Sequence, residues 1–243
     1  IFIMRKSNYF YLFLLMFIGT SVMVSCAKDE SLANQSTIVK QNALVEQQTL
    51  NVSNQIHTEF LDLICSKIAN REISKVKNLE NISKFRVIAT SFFNSKYGSN
   101  QEAFVNIIID NLLGVDKIQP PSIFAADFNL INSWVNNDIG TSLFQSNTQN
   151  LINVASAEKS ALGYVNIIGI AQASYNYWKN ADETSCYYTE VGSRACLLCK
   201  FFNADLNGAG AGAALGSVLG GVGAGPGAVM GGTIGSGLEA LSW

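Results

Sequence analysis

The stretch that decides the fold spans residues 206–243 and reads LNGAGAGAALGSVLGGVGAGPGAVMGGTIGSGLEALSW. It holds 13 of the chain's 20 glycines, and no charged residue lies between Asp205 and Glu239. Most of these glycines recur at four-residue steps in two series: Gly208, Gly212, Gly216 and Gly220, then Gly223, Gly227, Gly231 and Gly235. Residues four apart share one face of a helix, so the pattern predicts two helices that each present a stripe of glycines.

A glycine stripe lets another helix approach until the two backbones touch, and close packing then replaces the missing side chains. Glycine disfavours a helix by about 1 kcal/mol per residue relative to alanine, so the segment needs lipid, a partner helix or the body of the chain to hold it. Pro226 lies between two glycines and is expected to break the run, giving helices over 207–222 and 227–241. Besides this glycine-zipper hairpin, a flexible glycine-rich linker stays open as an interpretation.

The rest of the chain has the pattern of a helical protein with few charges. Of its 243 residues 14% are charged, the formal net charge is −2, and no basic run indicates nucleic-acid binding. Only three prolines occur, and alternation of apolar and polar residues is scarce, which disfavours strands. We therefore predict a mainly α protein: an irregular helical bundle over 37–205 that ends in the glycine-zipper hairpin over 206–243.

Helix boundaries inside this bundle follow from apolar periodicity and from turn residues. The expected helices cover 37–69, as one helix or two, and then 82–93, 102–113, 123–136, 142–153 and 157–179. Ser99–Glu102 has the form of a capping box, and Ser156 is expected to cap the last of these helices. Small residues recur along that helix at Ala157, Ala161, Gly169 and Ala173. They either receive the hairpin or simply fill a tight bundle.

The N-terminal residues have the layout of a bacterial export signal. A basic pair, Arg5 and Lys6, precedes an apolar run over 9–24, and the small residue Ser25 stands before Cys26. Such a layout indicates a secretory signal that is not part of the fold. We expect residues 1–25 to be removed, Cys26 to carry lipid, and residues 26–36 to form a tether. An ordinary signal peptide or a membrane anchor is the alternative.

Four cysteines remain once Cys26 is set aside: Cys65, Cys186, Cys196 and Cys199. An even number in an exported protein favours disulfides. We predict a disulfide from Cys186 to Cys196 or Cys199, which closes a short loop before the hairpin. Cys196 and Cys199 also form a C-x-x-C, for which buried thiols, a redox pair or half of a zinc site are the other interpretations. We expect no metal, because a four-cysteine site would need Cys65 from far along the chain.

No other motif predicts catalysis. His57 and Glu59 match part of the zinc deaminase signature, but the proline before the first cysteine is missing and the separation is too long. Ser156 and Lys159 match the acylating S-x-x-K pattern without its companion motifs. We therefore place His57 on the polar side of an amphipathic helix, and we expect neither enzymatic activity nor a cofactor.

Together, the hairpin and the signal resemble the glycine-zipper lipoproteins of Gram-negative outer membranes, of the surface-antigen type, which carry two glycine-zipper helices. In that family the zipper lies close to the lipidated cysteine, whereas about 180 residues separate the two here. Lys28, Asp29 and Glu30 resemble the lysine-plus-acidic signal that sends some lipoproteins to the outer face of the outer membrane. The resemblance implies a lipid-anchored protein of the outer membrane that faces the cell exterior.

Two functions from different classes follow from these patterns. The first is a surface lipoprotein whose hairpin is a structural device, either embedded in the envelope or packed in its own helical body, while the rest is an interaction domain. Its partners would be the membrane, through the lipid and the hairpin, and a second copy or another protein. The second is a toxin whose hairpin permeabilises a target membrane, because the same stretch resembles the glycine-rich module of small class II bacteriocins.

Overall fold

The computed structural model describes residues 31–114, 118–181, 194–219 and 222–241, with side chains from Leu44 in the first range and from Leu198 in the third. The chain divides into two units, 1–43 and 44–243. The described residues of the first unit, 31–43, are helical. The second unit contains the hairpin and the helices that pack around it.

Within the described residues the elements are α-helices, one short 3₁₀ turn and connecting loops. The helices are α1 (Ser31–Ala69), α2 (Leu79–Tyr97), α3 (Glu102–Leu112), α4 (Ala125–Asn136), α5 (Thr141–Asn153), α6 (Ala157–Ala161), α7 (Tyr164–Asn180), α8 (Arg194–Val218) and α9 (Ala224–Ala240). The 3₁₀ turn covers Ser122–Phe124 and leads directly into α4. These ranges contain no strand, so the prediction of a mainly α fold with a C-terminal helical hairpin is confirmed.

The last helix, α9, lies at the centre of the second unit. Every residue from Gly227 to Leu238 is buried. Helix α9 packs along α8 and also contacts α7, α2 and α3. Its sequence carries a single charge, at Glu239 near its end. A helix that is apolar on all sides is stable only when other helices surround it, which is what α2, α3, α7 and α8 do here.

Helix α8 begins at Arg194, whereas the glycine pattern predicts a start near residue 207. The apolar face continues upstream of the glycines, because Leu198, Phe201, Phe202 and Leu206 recur at three- and four-residue steps and are all buried. The hairpin is therefore not a separate module that begins at residue 206. Its first helix carries aromatic and leucine side chains in one half and glycines in the other.

Pro226 does not separate the two helices of the hairpin, so the predicted start of the second helix at residue 227 is wrong. Helix α9 begins at Ala224, so Pro226 lies in its first turn. The N–H groups of a first turn have no carbonyl partner inside the helix, and proline is tolerated there. The break lies at Gly223, whose φ of +83° is accessible to glycine at little energetic penalty.

The helix predicted over 157–179 is divided into α6 and α7 at Gly163. Gly163 has a φ of +70°, and a Cβ atom there would lie 2.8 Å from the carbonyl carbon of Ala224 and from the nitrogen of Gly225. The start of α9 therefore presses against this break. The Ser156 cap is confirmed, since Ser156 Oγ accepts a hydrogen bond of 3.3 Å from the backbone N–H of Lys159.

The capping box predicted at Ser99–Glu102 is wrong. Helix α3 does begin at Glu102, but its N-cap residue is Gln101 and no side chain caps it. Asn100 adopts a φ of +87°, and the backbone N–H of Gln101 donates to Asn94 Oδ1 at 2.9 Å. A side chain near the end of α2 therefore fixes the start of α3, in place of a local cap.

Large aromatic rings pack the part of the core between α1 and α2. The Phe60 ring of α1 stacks on Phe93 at a centroid distance of 5.5 Å and meets Phe85 edge-on at 5.8 Å. Phe92 and Tyr97 extend this cluster along α2. Phe60, Phe85, Phe92, Phe93 and Tyr97 are called the aromatic cluster below. Burial raises the pKa of the Tyr97 hydroxyl well above its usual range.

Candidate functional site: a backbone-packed hairpin and a buried polar cluster

The glycines of α8 and α9 face each other in reverse order along the hairpin. A Cβ atom added to Gly212 would overlap the carbonyl oxygen of Gly227, and a Cβ atom on Gly227 would overlap that of Gly212. Gly208 and Gly231 stand in the same reciprocal relation. No methyl group fits between the two helices, so they meet backbone to backbone as the spacing of the glycines predicts. Close Cα–H···O contacts are the physical consequence of such an approach.

The two ends of the stripe depart from the predicted ladder. At one end, a Cβ on Gly235 would overlap the carbonyl oxygen of Ala204, which lies upstream of the glycine-rich stretch. At the other end, Gly216 faces the carbonyl of Gly223, but a Cβ on Gly223 itself would meet only Pro226 Cδ at 3.9 Å. A glycine is thus required at position 223 because of its positive φ, and not because a side chain there would collide with α8. Gly220 lies outside the described residues.

Glycines between the ladder positions receive large side chains from the surrounding helices. A Cβ on Gly232 would lie 2.5 Å from Ile170 Cγ2 of α7. One on Gly237 would lie 2.8 Å from Phe85 Cε2 and 2.9 Å from Phe60 Cε1, both in the aromatic cluster. The same relation in α8 holds for Gly210, which faces Pro120 and Phe128. On one side, the backbone of α9 therefore contacts the backbone of α8. On its other sides, the glycines of α9 leave space that side chains from other helices fill.

The small-residue track of α7 does not receive the hairpin. A Cβ on Gly169 would lie 2.8 Å from Ser53 Cβ of α1, so this track packs against α1. The contacts from α7 to α9 come from neighbouring positions, Ile170 and Asn166. Of the two interpretations left open by the sequence, tight packing within the bundle is the one that the geometry supports.

A polar cluster lies buried where α1, α7, α8 and α9 meet. His57 Nε2 of α1 and Asp205 Oδ2 of α8 are 3.0 Å apart, and both side chains have no exposed surface. Trp178 Nε1 of α7 lies 3.4 Å from Asp205 Oδ2 and 3.3 Å from Ser236 Oγ of α9. His57, Trp178, Asp205 and Ser236 are called the polar cluster below. The Asp205 carboxylate links α8 to α1 and α7, and the Trp178 indole extends the link to α9.

Part of the hydrogen-bonding capacity around this cluster is unused. Among the described residues, His57 Nδ1 and Asp205 Oδ1 are buried without a hydrogen-bond partner. A buried carboxylate needs donors, which the indole N–H of Trp178 and an imidazole tautomer with its N–H at Nε2 would supply to Asp205. Imidazole–carboxylate pairs also orient catalytic histidines, but this one is sealed from solvent. Its geometry is that of a tie between helices.

The placement of His57 on the polar side of its helix is therefore wrong. His57 is in phase with Phe60, Leu61 and Ile64, which follow it by three, four and seven residues and are all buried. Asp205 directly precedes the long uncharged run. A lone histidine on an apolar face and a lone acid at the edge of a charge-free segment were the available signals for this pair.

A second buried acid explains the S-x-x-K match. Asp127 Oδ2 of α4 accepts hydrogen bonds from Tyr164 OH at 2.6 Å and from Lys159 Nζ at 2.5 Å. Burial, and then the carboxylate of Asp127, raise the pKa of Tyr164 well above its usual range. Lys159 is thus held by an ion pair, and Ser156 serves as a cap. The two do not form a nucleophile and its base.

The cysteines correct part of the disulfide prediction. Cys65 is in a disulfide whose second cysteine lies outside the described side chains. Cys199 carries a thiol, whose Sγ lies 3.2 Å from Asn136 Oδ1, so the predicted pairing of Cys186 with Cys199 is wrong. The pairing of Cys186 with Cys196 lies outside the described side chains. Helical packing brings distant positions together, which is why distance along the chain was a poor reason to set Cys65 aside.

The predicted lipidation and surface signals, Cys26, Lys28, Asp29 and Glu30, also lie outside the described residues. In the described parts of the chain, no group of three His, Cys, Asp or Glu side chains is arranged to hold a metal ion. Among the described helices, none has both the length and the hydropathy of a membrane-spanning segment. No protein-family model matches this sequence, and neither a curated protein nor a solved structure is detectably similar to it.

Proposed function

We propose that this chain is a lipid-anchored protein of the outer bacterial surface whose helical body serves as an interaction domain. In this proposal the glycine hairpin is the internal scaffold of that body and does not enter the membrane. One observation carries it: α9 is buried from Gly227 to Leu238 by the chain's own helices. The outer faces of the surrounding helices then remain for contact with a partner.

The close packing of side chains from other helices against glycines of α9 supports a protein environment for the hairpin. Gly232 receives Ile170, and Gly237 receives Phe60 and Phe85, each at a distance that leaves no space for a methyl group. Fluid acyl chains do not hold fixed positions against individual glycines, whereas side chains in a close-packed protein interior do. A glycine also contributes little apolar surface, so transfer of this hairpin into lipid would gain little from the hydrophobic effect.

The anchor in this proposal is the lipid on Cys26, supported by the basic pair, the apolar run and the small residue before it. A single acyl chain gives marginal membrane binding, whereas two or more give stable anchoring. A processed lipoprotein cysteine therefore holds the body at the membrane without help from the hairpin.

The variant Cys26→Ala tests both parts of the proposal. We expect it to leave the membrane fraction or to stay unprocessed, while its hairpin remains as protease-resistant as in the wild type. The measurement is fractionation with alkaline carbonate extraction, followed by limited proteolysis. A Cys26→Ala protein that is processed normally and still resists extraction would show that the hairpin, and not lipid, holds the chain to the membrane.

Surface exposure is tested separately. Replacing Lys28, Asp29 and Glu30 with alanine should keep the lipid and remove access to protease added to intact cells. The control is the same assay on lysed cells, where both proteins should be cleaved. Equal cleavage of the two proteins on intact cells would contradict a role for these residues in surface display.

A membrane-permeabilising toxin is the second candidate, and one observation favours it. The hairpin carries no charge between Asp205 and Glu239, and its second helix is buried by other helices, so the folded protein encloses a charge-free helix. Release of a dye from vesicles of phosphatidylethanolamine and phosphatidylglycerol by the purified protein would support this candidate. The scaffold proposal expects no release at any protein concentration at which the protein stays folded.

A further inference from the structure

Two adjoining clefts run along the contact between α1 and α7. The larger, with a volume of about 410 Å³, is lined by Asn54, Thr58, Ala173, Asn176, Tyr177, Asn180 and Ala181. The smaller, about 300 Å³, reaches α5 and is lined by Gln47, Leu50, Asn51, Asn54, Gln145, Gln149 and Gln172. Asn54 lines both, so the two clefts adjoin at this residue, and together they are called the amide groove below.

Side-chain amides are concentrated in this groove. The chain has 24 asparagines and 10 glutamines in 243 residues, or about one residue in seven. In the smaller cleft every lining residue except Leu50 is an amide. None of the residues that line either cleft carries a formal charge. Amides are therefore several times more frequent in the lining of the smaller cleft than in the chain as a whole.

Several of these amides are held in place while others keep unused donors. Gln172 Nε2 donates to Thr148 Oγ1 at 2.9 Å, and Gln47 Nε2 donates to Asn51 Oδ1 at 3.2 Å. By contrast, within the described residues the side-chain amide of Gln145 and the Nδ2 group of Asn54 have no protein hydrogen-bond partner. A side-chain amide carries both hydrogen-bond donors and an acceptor. The amides of three helices, α1, α5 and α7, line this groove.

Tyr177 forms an aromatic wall at the larger end of the groove. Its hydroxyl donates to Asp62 Oδ1 at 3.0 Å, and its ring meets the Trp178 ring edge-on at a centroid distance of 5.0 Å. The ring is thus fixed from two sides and presents a rigid apolar surface with a polar tip. A ligand in the groove could therefore pack on the rigid ring and also donate hydrogen bonds to the amides and accept hydrogen bonds from them.

We propose that the amide groove binds a neutral oligosaccharide. Vicinal hydroxyl groups donate and accept at once, which is what asparagine and glutamine side chains match, and the C–H face of a sugar ring packs on an aromatic wall. The absence of charge among the lining residues fits a neutral glycan and not a polyanion. A peptide fits less well, because it would need apolar pockets for its side chains, and besides the Tyr177 ring the described lining offers only Leu50, Ala173 and Ala181.

The proposal is tested by titrating the purified full-length protein in detergent with neutral oligosaccharides. The probes are maltoheptaose, cellohexaose, mannohexaose and laminarihexaose, with hexagalacturonate as the charged control and a glycine-serine decapeptide as the peptide control. Saturable binding of at least one neutral probe is expected, with a Kd on the order of 1 mM or tighter. If no neutral probe binds, or if the polyanion or the peptide binds as tightly, the proposal is wrong.

A matched pair of double variants locates the site. Asn54→Ala with Gln145→Ala removes two lining amides, whereas Gln55→Ala with Asn150→Ala removes two exposed amides on the same helices that do not line the groove. The first pair should weaken binding about tenfold and the second pair less than about twofold. Circular dichroism and thermal unfolding check that both proteins fold as the wild type does. Equal affinities of the two variants would overturn the assignment of the groove.

This inference does not depend on lipidation. Failure of Cys26→Ala to leave the membrane would count against the anchored-scaffold proposal and would leave glycan binding by the purified protein unaffected. Conversely, a failure of the purified protein to bind any oligosaccharide would not change the expected fractionation of Cys26→Ala. The two proposals therefore fail separately.

Discussion

The core of this protein is packed by opposite means at its two sides. In the aromatic cluster, the space between α1 and α2 is filled by large rings whose centroids lie 5.1–6.3 Å apart. In the hairpin, the space between α8 and α9 is removed altogether, because glycine carbonyls occupy the positions where side chains would stand. The two modes meet at Gly237, against which Phe60 and Phe85 pack. The aromatic side should be sensitive to loss of volume, and the hairpin to any gain.

The largest effect is expected from Gly212→Leu. The new side chain would have to occupy the position of the Gly227 carbonyl, and a backbone cannot give way as a flexible side chain does. Helix propensity alone would stabilise the variant by about 1 kcal/mol, so the two effects have opposite signs. We expect packing to dominate, with a loss of at least about 4–5 kcal/mol in the free energy of unfolding by urea.

Asn207→Leu is the matched control for this variant. Asn207 lies in the same helix and is exposed, so leucine there gains helix propensity without a steric conflict. Its urea midpoint should equal or exceed that of the wild type. If Gly212→Leu and Asn207→Leu unfold at the same urea concentration, the hairpin is not packed backbone to backbone.

The aromatic side should respond to truncation. Phe60→Ala is expected to destabilise the protein by about 3–5 kcal/mol, since the fully buried ring leaves a cavity. Gly237→Ala should be destabilising in the wild type and less so in the Phe60→Ala background, because one of the two rings that the new methyl would meet is gone. A double-mutant cycle by urea unfolding measures this coupling. Strictly additive effects would show that the two packing modes do not share Gly237.

The polar cluster ties the hairpin to α1, and it should rank next. Asp205→Ala leaves His57 and Trp178 Nε1 buried without their carboxylate, with an expected loss of about 3 kcal/mol. His57→Leu combined with Asp205→Leu should recover much of this loss, since a buried pair replaced by apolar groups of similar size is often neutral. Urea unfolding at pH 7 compares the three proteins. A double variant that is less stable than Asp205→Ala would contradict this account.

The smallest effect is expected at the surface. The hydrogen bond from Lys179, and then that from Tyr175, hold the pKa of Asp138 below its ordinary value of 3.8. A depressed folded-state pKa adds stability above the unfolded-state value, and this stability is lost as pH falls through the folded-state value. The Asp138 side chain is 64% exposed, so Asp138→Asn should destabilise by less than about 1 kcal/mol at pH 7.

The pH dependence provides the check on that small effect. The difference in urea midpoint between Asp138→Asn and the wild type should be present at pH 7, shrink below pH 4 and disappear near pH 2. High salt at pH 7 should reduce it as well. A difference that grows as the pH falls would mean that the carboxylate is not stabilised by Lys179 and Tyr175.

The glycine spacing was enough to predict the hairpin and its contact, because residues such as Gly208, Gly212 and Gly231 have a four-residue period and little other use in a helix. The same pattern did not show what surrounds the hairpin. Gly232 and Gly237 receive side chains that come from distant segments, Ile170 and Phe60, and no local signal records such pairings. Tertiary packing decides them.

The polar cluster was missed for a related reason. His57 and Asp205 are separated by 148 residues, and although each has a local signal, nothing in the sequence pairs the two. Helix boundaries were predicted well where apolar periodicity and turn residues agree, as at Gly114 and Asn153. They were wrong where a distant contact sets the break, as at Gly163, which the start of α9 presses against.

The central position of α9 has a consequence for biosynthesis. The ribosome makes this helix after α1, α2, α3, α7 and α8, so its neighbours emerge with their central groove empty. At a synthesis rate of about 5–20 residues per second, roughly 1–4 seconds pass before the last twenty residues of the hairpin follow. Over that interval Phe60, Phe85 and Ile170 lack the surface that they pack against. Chaperones would therefore meet an open chain, and a transcript cut short within α9 would yield a product that cellular proteases clear.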